Sequence, residues 1–390
     1  MHIALITTTI NNPVVLEEYA AQAHEQDVAL SFVVAGDRKT PHDAVNALLF
    51  DIQRKYGFEG DYLHPSDQEF RWKALSDVVG WDTIQRRNFA ILTAIADTNA
   101  EWIFTIDDDN APEPDFFTKL KAALDFEKPN IHLVKDDGSG FFNPGGVMNQ
   151  QHYSRGYPYS LRKGDPSKAR GQIEPVSHEG SVWKTSPAIF QCFTKGDPDI
   201  NATERLEVAP NVYGFAGDGA IIAHPSLVFS PLNTQATLYR MPYAGLLGLP
   251  PGLGRYDDIW QGYAAQAVLS AEIGAHIAYG EPWVIQERNE HNLFKDLRAE
   301  LIGMEHTEKF CAALRESVEN TGRQAPVDKY RAAWAGAIVT LWDEPFMQEP
   351  IQQYDTRVTM HERRALLLEF ISLWTEAAHA AFEERKALLA

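Results

Sequence analysis

Three adjacent carboxylates, Asp107-Asp108-Asp109, close the apolar run Trp102-Ile103-Phe104-Thr105-Ile106. Neighbouring carboxylates repel one another, so a folded chain that sets three at a strand end calls for a countercharge. A divalent cation is the natural one. Hard oxygen donors suit Mg²⁺ or Mn²⁺, and such an ion then holds a diphosphate. Strand ends of open α/β sheets are also where ligands bind. The alternative is a solvated acidic turn leading into the helix expected from Pro114.

Other charged residues stand where they can serve the same chemistry. Asp37 ends the strand-like Ala29–Gly36 run, where a carboxylate can read a ribose or base, or simply turn the chain. Arg86 and Arg87 lie in the helix expected from Trp81 to Ile95, with Asp82 or Thr83 as its cap. They are placed to meet a phosphate or the acidic triplet, with solvated helix arginines as the plain alternative. Arg155 and Arg162 flank the aromatic turn Gly156-Tyr157-Pro158-Tyr159, which suits an anion clamp or a sugar platform. Asp257 and Asp258 follow Gly254-Arg255-Tyr256 at a helix start. Capping accounts for one of them, and the pair suggests an active-site acid.

The elements that must position these groups alternate. A β-rich run His2–Ile10, a helix Val14–His24, the strand ending at Asp37 and a helix Asp43–Arg54 open a parallel α/β sheet. Residues 57–70 read as a polar, turn-rich stretch, and Ile131–Val134 as a strand. Asp136–Gly180 is a long loop rich in Gly, Pro and Asn, a length usually tied to function, and Gly196–Asn201 reads as a polar turn. Ala220–Phe229 and Ile277–Ile285 are expected strands. Beyond about Leu297, helical spacing recurs at 304–318, 330–342 and 361–389 without a catalytic cluster. The expected domains are 1–296, catalytic, and 297–390, a helical appendage for packing or homo-oligomer contacts.

With 390 residues, 44% hydrophobic and 23% charged, the composition is that of a globular enzyme. A net charge of −19 argues against general nucleic-acid binding. No eighteen-residue apolar run occurs, so no membrane span is expected. The N-terminal residues read as a strand rather than a leader, and two cysteines make no disulfide framework; a cytoplasmic setting is expected.

Several motifs together resemble the reversibly glycosylated polypeptide family, the UDP-arabinopyranose mutases. They are Ile106-Asp107-Asp108-Asp109, Phe141-Phe142-Asn143, Arg155-Gly-Tyr-Pro-Tyr-Ser-Leu-Arg162, Gly254-Arg255-Tyr256-Asp257-Asp258-Ile259-Trp260 and the weaker Ile200-Asn201-Ala202-Thr203, in the family's order. The resemblance implies an α/β, GT-A-like Rossmann-type mixed sheet that binds a UDP-sugar through Mn²⁺ or Mg²⁺. Asp107, Asp108 and Asp109 would hold the metal, with Asp37, Arg86, Arg87, Asp107 and Arg255 around the nucleotide. Arg155 corresponds to the arginine that becomes glycosylated, and Arg162 to a second arginine needed nearby. Asp257 and Asp258 are the candidate general bases.

A third metal ligand would fall at His291, in a register shifted from the family's own histidine. The stretch Lys163 to Val176 and the helical tail have no family counterpart. The expected activity is pyranose/furanose interconversion of a UDP-sugar. A glycosyltransferase acting on a small-molecule, polymer or modified-base acceptor is the second reading, and a non-catalytic nucleotide-sugar-binding subunit the third.

Overall fold

In a computed structural model the described residues are 1–125, 131–162, 164–169, 171–175, 186–207, 210–216, 221–225, 228–272, 274–286, 292–319, 321–351 and 361–390. The chain opens β1 (His2–Thr9), α1 (Val15–Glu25), β2 (Ala29–Gly36), α2 (His42–Tyr56), β3 (Glu59–Leu63), α3 (Pro65–Val79), α4 (Arg87–Asp97) and β4 (Trp102–Thr105). It continues through β5 (Asn110–Pro112), α5 (Phe116–Leu124), β6 (Ile131–Lys135), β7 (Gln172–Pro175), β8 (Ile189–Gly196), α6 (Ala202–Glu207), β9 (Ile221–Pro225) and β10 (Thr237–Arg240). The last third holds α7 (Asp257–Ser270), β11 (His276–Gln286), α8 (Leu293–Glu319), α9 (Pro326–Thr340), α10 (Pro345–Gln348) and α11 (Arg363–Leu389). The fold is α/β, a mixed sheet of GT-A-like, Rossmann type with helices.

Two compact units divide it. The first comprises Met1–Asp109, Leu238–Gly252 and Asn320–Ala390; the second comprises Asn110–Thr237 and Leu253–Glu319. The residues beyond 296 are thus shared, with α8 in the second unit and α9 to α11 in the first.

In the first unit the strands run β3-β2-β1-β4-β10, with β1 parallel to both β2 and β4. Interior strands buried on both faces need unbroken apolar sequence. Ile3, Ala4, Leu5 and Ile6 of β1, and Phe32, Val33, Val34 and Ala35 of β2, supply it, all at or near zero exposure. Strand order reverses at β1, so the carboxyl ends of β1 and β4 form the switch point where such sheets leave a crevice.

The helix expected from Trp81 to Ile95 is broken. Asp82 takes a left-handed φ of 57° and Thr83 is extended without a side-chain cap. A single 3₁₀ turn, Ile84–Arg86, precedes α4. That break lets Arg86 bury its guanidinium, which donates to Gln68 Oε1 (2.9 Å), Ser76 Oγ (3.0 Å) and the Gly80 carbonyl (3.1 Å).

α11 is, among the described residues, the one helix long and apolar enough to cross a membrane by length and composition. Its sequence is interrupted by Glu369 and Glu376. Here it packs on α3, α4 and α9, burying Leu366, Leu367, Phe370, Ile371, Trp374 and Ala378. The Trp374 indole donates to the Gly245 carbonyl at 2.9 Å.

In the second unit the order is β8-β11-β9-β6-β7, and β5 pairs antiparallel with β11. β8 and β11 are parallel, with register shifts around Pro282. α7 is buried along its whole length from Asp257 to Leu269 and packs on α8. Trp260 stacks on Phe310 at 4.1 Å, and its indole donates to Thr307.

Candidate functional site

Within the first unit the acidic triplet lies at the switch point. Ile106 donates its backbone N–H to the Ile6 carbonyl (3.2 Å), so the turn after β4 stays tied to β1. Asp107, Asp108 and Asp109 follow, each partly exposed. Arg87, wholly buried at the start of α4, donates to Asp107 Oδ1 (2.5 Å) and to the Ile106 carbonyl (3.1 Å). Asp108 Oδ2 accepts from the Thr9 hydroxyl at the end of β1 and from Asn11 Nδ2 (3.2 Å). Asp107 is thereby oriented from the start of α4 and Asp108 from the carboxyl end of β1.

Asp37, buried just past β2, accepts backbone N–H groups from Arg38 (2.6 Å) and Thr83 (3.2 Å) and so fixes the turn around it. Arg86 is wholly buried against Trp81, 3.5 Å from its ring centroid. Burial lowers its guanidinium to about 9, against the pull of Asp37. Arg86 donates to Gln68, Ser76 and Gly80, whereas Arg87 touches the triplet directly.

A divalent cation fits this donor set. The carboxylates are hard oxygen donors, each partly exposed, just past the carboxyl end of β4. Among the described residues no group of three or more His, Cys, Asp or Glu converges as a complete protein cage would require. Mg²⁺-type ions are commonly held by one or two carboxylates, with substrate phosphates and water completing the shell. His291 lies outside the described residues.

The second unit gathers Arg155, Arg162, Arg255, Asp257 and Asp258. An isolated antiparallel bridge between Ser154 and Ile200 brings two loops together. Across it, Arg155 Nε donates to Asp199 Oδ1 at 2.8 Å, and the Arg155 backbone N–H donates to the Asp199 carbonyl at 2.9 Å. The far edge of the guanidinium meets Asp258, both nitrogens within 3.2 Å, and also donates to the Arg255 carbonyl. Burial alone would depress this guanidinium. Asp199 and Asp258 overcome it and hold Arg155 well above its ordinary value. Arg155 is therefore a fixed cation.

Arg162, seven residues on, donates to Glu204 Oε1 (2.5 Å) and Asn201 Oδ1 (2.8 Å) and lies over the rings of Tyr159 and Tyr153. Asn201 in turn donates to the Tyr256 hydroxyl (2.9 Å) and to Glu300 Oε2 (3.2 Å). Arg255 pairs with Glu300 (3.1 Å) and Asp296 (3.6 Å). Asp257 and Asp258 both occupy the first turn of α7, buried, where the helix dipole favours them. Beside Arg155 a pocket opens, lined by Pro144, Met148, His152, Gln191, Asn233 and Ile259 among others, with Arg155 and Asp199 in its wall.

Asp199, Asn233, Glu204 and Glu300 were not among the sequence candidates. Asp199 falls in Gly196–Asn201, whose Gly, Asp and Pro composition also suits a plain turn. Two acids flanking Pro198 just before Ile200-Asn201 were the available signal. Nothing in the spacing of α8 marks Glu300, which burial alone distinguishes.

An α/β, GT-A-like fold with carboxylates at the switch point defines a nucleotide-sugar-transferase type of architecture. No protein-family model matches the chain. It is 25% identical over 269 residues to the probable UDP-arabinopyranose mutase 1 of Solanum tuberosum, covering 63% of this chain and 68% of that protein. To UDP-arabinopyranose mutase 1 of Arabidopsis thaliana it is 26% identical over 269 residues, covering 63% and 69%. The rice enzyme of that name (Oryza sativa subsp. japonica) shows 25% identity over 272 residues, covering 63% and 68%. These likenesses support a distant relationship to the UDP-arabinopyranose mutases.

Proposed function

We propose that this chain is a UDP-sugar enzyme that interconverts pyranose and furanose forms of a nucleotide-linked sugar. The observation that carries the reading is the buried network in the second unit. The two segments Arg155–Arg162 and Gly254–Trp260, far apart in sequence, fold into one hydrogen-bonded constellation beside a pocket. The mutase names of the distant relatives agree with it.

In this reading the first unit takes the diphosphate. Asp107, Asp108 and Asp109 would hold Mn²⁺ or Mg²⁺, which would supply positive charge for a diphosphate leaving group. Arg87 keeps Asp107 in place and the Thr9 hydroxyl keeps Asp108. As the glycosidic bond lengthens, the anomeric carbon gains oxocarbenium character. Within the second unit, Asp258 and Asp199 set negative charge around the Arg155 guanidinium. The hydroxyl that closes the new ring attacks the anomeric carbon and gives up its proton; UDP then returns to that carbon as its bond to the old ring oxygen breaks, and that oxygen takes a proton.

A transferase on the same scaffold is the second reading: departure of UDP is common to both, and an outside acceptor then attacks in place of the sugar's own hydroxyl. Incubation with UDP-pentoses and UDP-hexoses plus Mn²⁺, followed by chromatography, separates the two. A new UDP-sugar isomer without free UDP is the expected result. Release of UDP without an isomer would replace the mutase by a transferase, and no change in any UDP-sugar would remove both.

A further inference from the structure

His152 stands three residues before Arg155, and the fold fixes it at three points. Its backbone N–H donates to the Gly145 carbonyl at 3.2 Å, and its carbonyl accepts from Asn143 Nδ2 at 2.8 Å. Its ring Nδ1 lies 2.9 Å from the Gln150 carbonyl. A carbonyl only accepts, so Nδ1 carries the proton of the neutral ring and Nε2 carries the lone pair. The edge bearing Nε2 rests on Gly145, where a Cβ would fall 2.7 Å from that nitrogen. His152 is 7% exposed, and its Nε2 has no hydrogen-bond partner among the described residues.

The same side chain stands in the wall of the second unit's pocket, with Ser154, Arg155, Gln191, Thr194 and Asn233. Several polar groups there are committed to protein neighbours. Gln191 Nε2 donates to Asn233 Oδ1, Asn233 Nδ2 to Asp199 Oδ2 (2.8 Å), and the Thr194 hydroxyl to the Asp197 carbonyl (3.3 Å). Burial lowers the His152 imidazole below its ordinary value, over the opposing pull of the Gln150 carbonyl and Asp199, with Arg205 assisting. Nε2 therefore keeps its lone pair at neutral pH. A buried acceptor left unmatched is costly, and the pocket is where its match can enter.

We propose that His152 is a specificity-determining residue of this pocket, its Nε2 lone pair accepting a hydrogen bond from a hydroxyl of an uncharged, hydroxyl-rich ring. The assignment rests on the reading of this chain as a UDP-sugar enzyme and names what the pocket recognises. A phosphate or carboxylate oxygen brings a lone pair of its own and is refused at Nε2, whereas a hydroxyl brings the hydrogen that Nε2 lacks. Arg155 in the same wall supplies donors, so the two residues together offer a ring both kinds of hydrogen-bonding group. The cavity, about 30 Å³, admits one hydroxyl-bearing edge of a ring rather than the whole of it.

Two substitutions separate recognition from support. His152→Asn keeps a donor within reach of the Gln150 carbonyl and removes Nε2. His152→Gln carries an amide oxygen to the place of Nε2. The full-length proteins are titrated calorimetrically with UDP, UDP-xylose, UDP-glucose and UDP-galactose, each with Mn²⁺, and thermal midpoints check folding. Wild type should bind at least one sugar nucleotide more tightly than UDP. His152→Asn should weaken that sugar nucleotide about tenfold, the loss of one buried hydrogen bond, and leave UDP unchanged. His152→Gln should stay within about threefold of wild type.

A residue that only braces its loop gives the reverse order, His152→Asn tolerated and His152→Gln harmful. That result, or equal affinities in all three proteins, would overturn the proposal. Nitrogen-15 NMR of the wild-type imidazole needs no variant. It should show a protonated Nδ1 and a bare Nε2, whose signal moves with the sugar nucleotide and not with UDP. A protonated Nε2, or a signal that moves equally with both, would also overturn it. A wild type that binds none of these nucleotides removes the UDP-sugar reading itself, whereas sugar nucleotides bound no more tightly than UDP remove the His152 assignment alone.

Discussion

Glu204 shows what the polar network of the second unit asks of single residues. Its Oε1 accepts from Arg162, while its buried Oε2 has no hydrogen-bond partner among the described residues. Burial pushes its carboxyl up to about 7 from an ordinary 4.5, against the opposing pull of Arg162. Between those values the folded chain binds more protons than the unfolded one, so stability falls as pH rises from about 4.5 to about 7. Below that window the contribution is fully present; above it, it is gone. Glu204→Gln should abolish this fall. Urea unfolding at pH 5 and pH 7.5 should show a difference between wild type and variant that changes by about 2 kcal/mol, after discounting for the partial exposure of the side chain. A difference that stays constant across the window would mean that the carboxyl titrates normally. Arg155 is the opposite case, a group whose partners hold its charge on, and the two together make the site chemically asymmetric.

At the scale of elements, the network depends on how closely α8 approaches the turn before α7. Gly303 on α8 has no side chain because Tyr256 fills the space, and a Cβ there would fall 1.8 Å from the Tyr256 ring. Tyr256 holds Asn201, and Asn201 holds Arg162. Gly303→Ala should therefore destabilise the chain by about 1–3 kcal/mol, the usual cost of overpacking. It should also loosen Arg162, seen as a lower thermal midpoint together with faster proteolysis in the 155–207 region. An unchanged midpoint would show that α8 can shift without the network noticing.

Element patterns also explain what could be read from sequence. α1, β2, α2 and the long C-terminal helices announce themselves by apolar period and length. β3 does not: Glu59, Gly60 and Asp61 are exposed on an edge strand, and only Leu63 is buried, so no alternation exists to find. α3 begins at Pro65 behind His64, whose ring accepts from the Ser66 backbone N–H as a cap, a role usually read from Ser, Thr, Asp or Asn. β8 is apolar and buried but follows directly on a Gly/Pro-rich stretch that masks its start. The Trp81–Ile95 helix had the right period, yet the tertiary demand of burying two adjacent arginines broke its first turn.

For the molecule as a whole, motifs carried further than composition did. The acidic triplet, the two arginine blocks and the Asp257-Asp258 pair were visible because unusual residue types recur in order. Their partners Asp199, Asn233 and Glu300 were hidden because a turn acid, a loop amide and a helix glutamate look ordinary until folding pairs them. The net charge of −19 also matters here. A strongly acidic chain repels a nucleotide diphosphate on average, so specific binding needs a local countercharge at the triplet. Arg87 supplies part of it, but it is already paired to Asp107.

Calorimetric titration of UDP into the full-length chain, with and without Mn²⁺, reads that requirement most directly when Asp108→Asn is run alongside. Micromolar binding that appears only with the metal, and falls at least tenfold in Asp108→Asn, is the predicted result. Equal affinity in wild type and variant, or UDP binding indifferent to Mn²⁺, would contradict a metal-assisted diphosphate site at Asp107–Asp109.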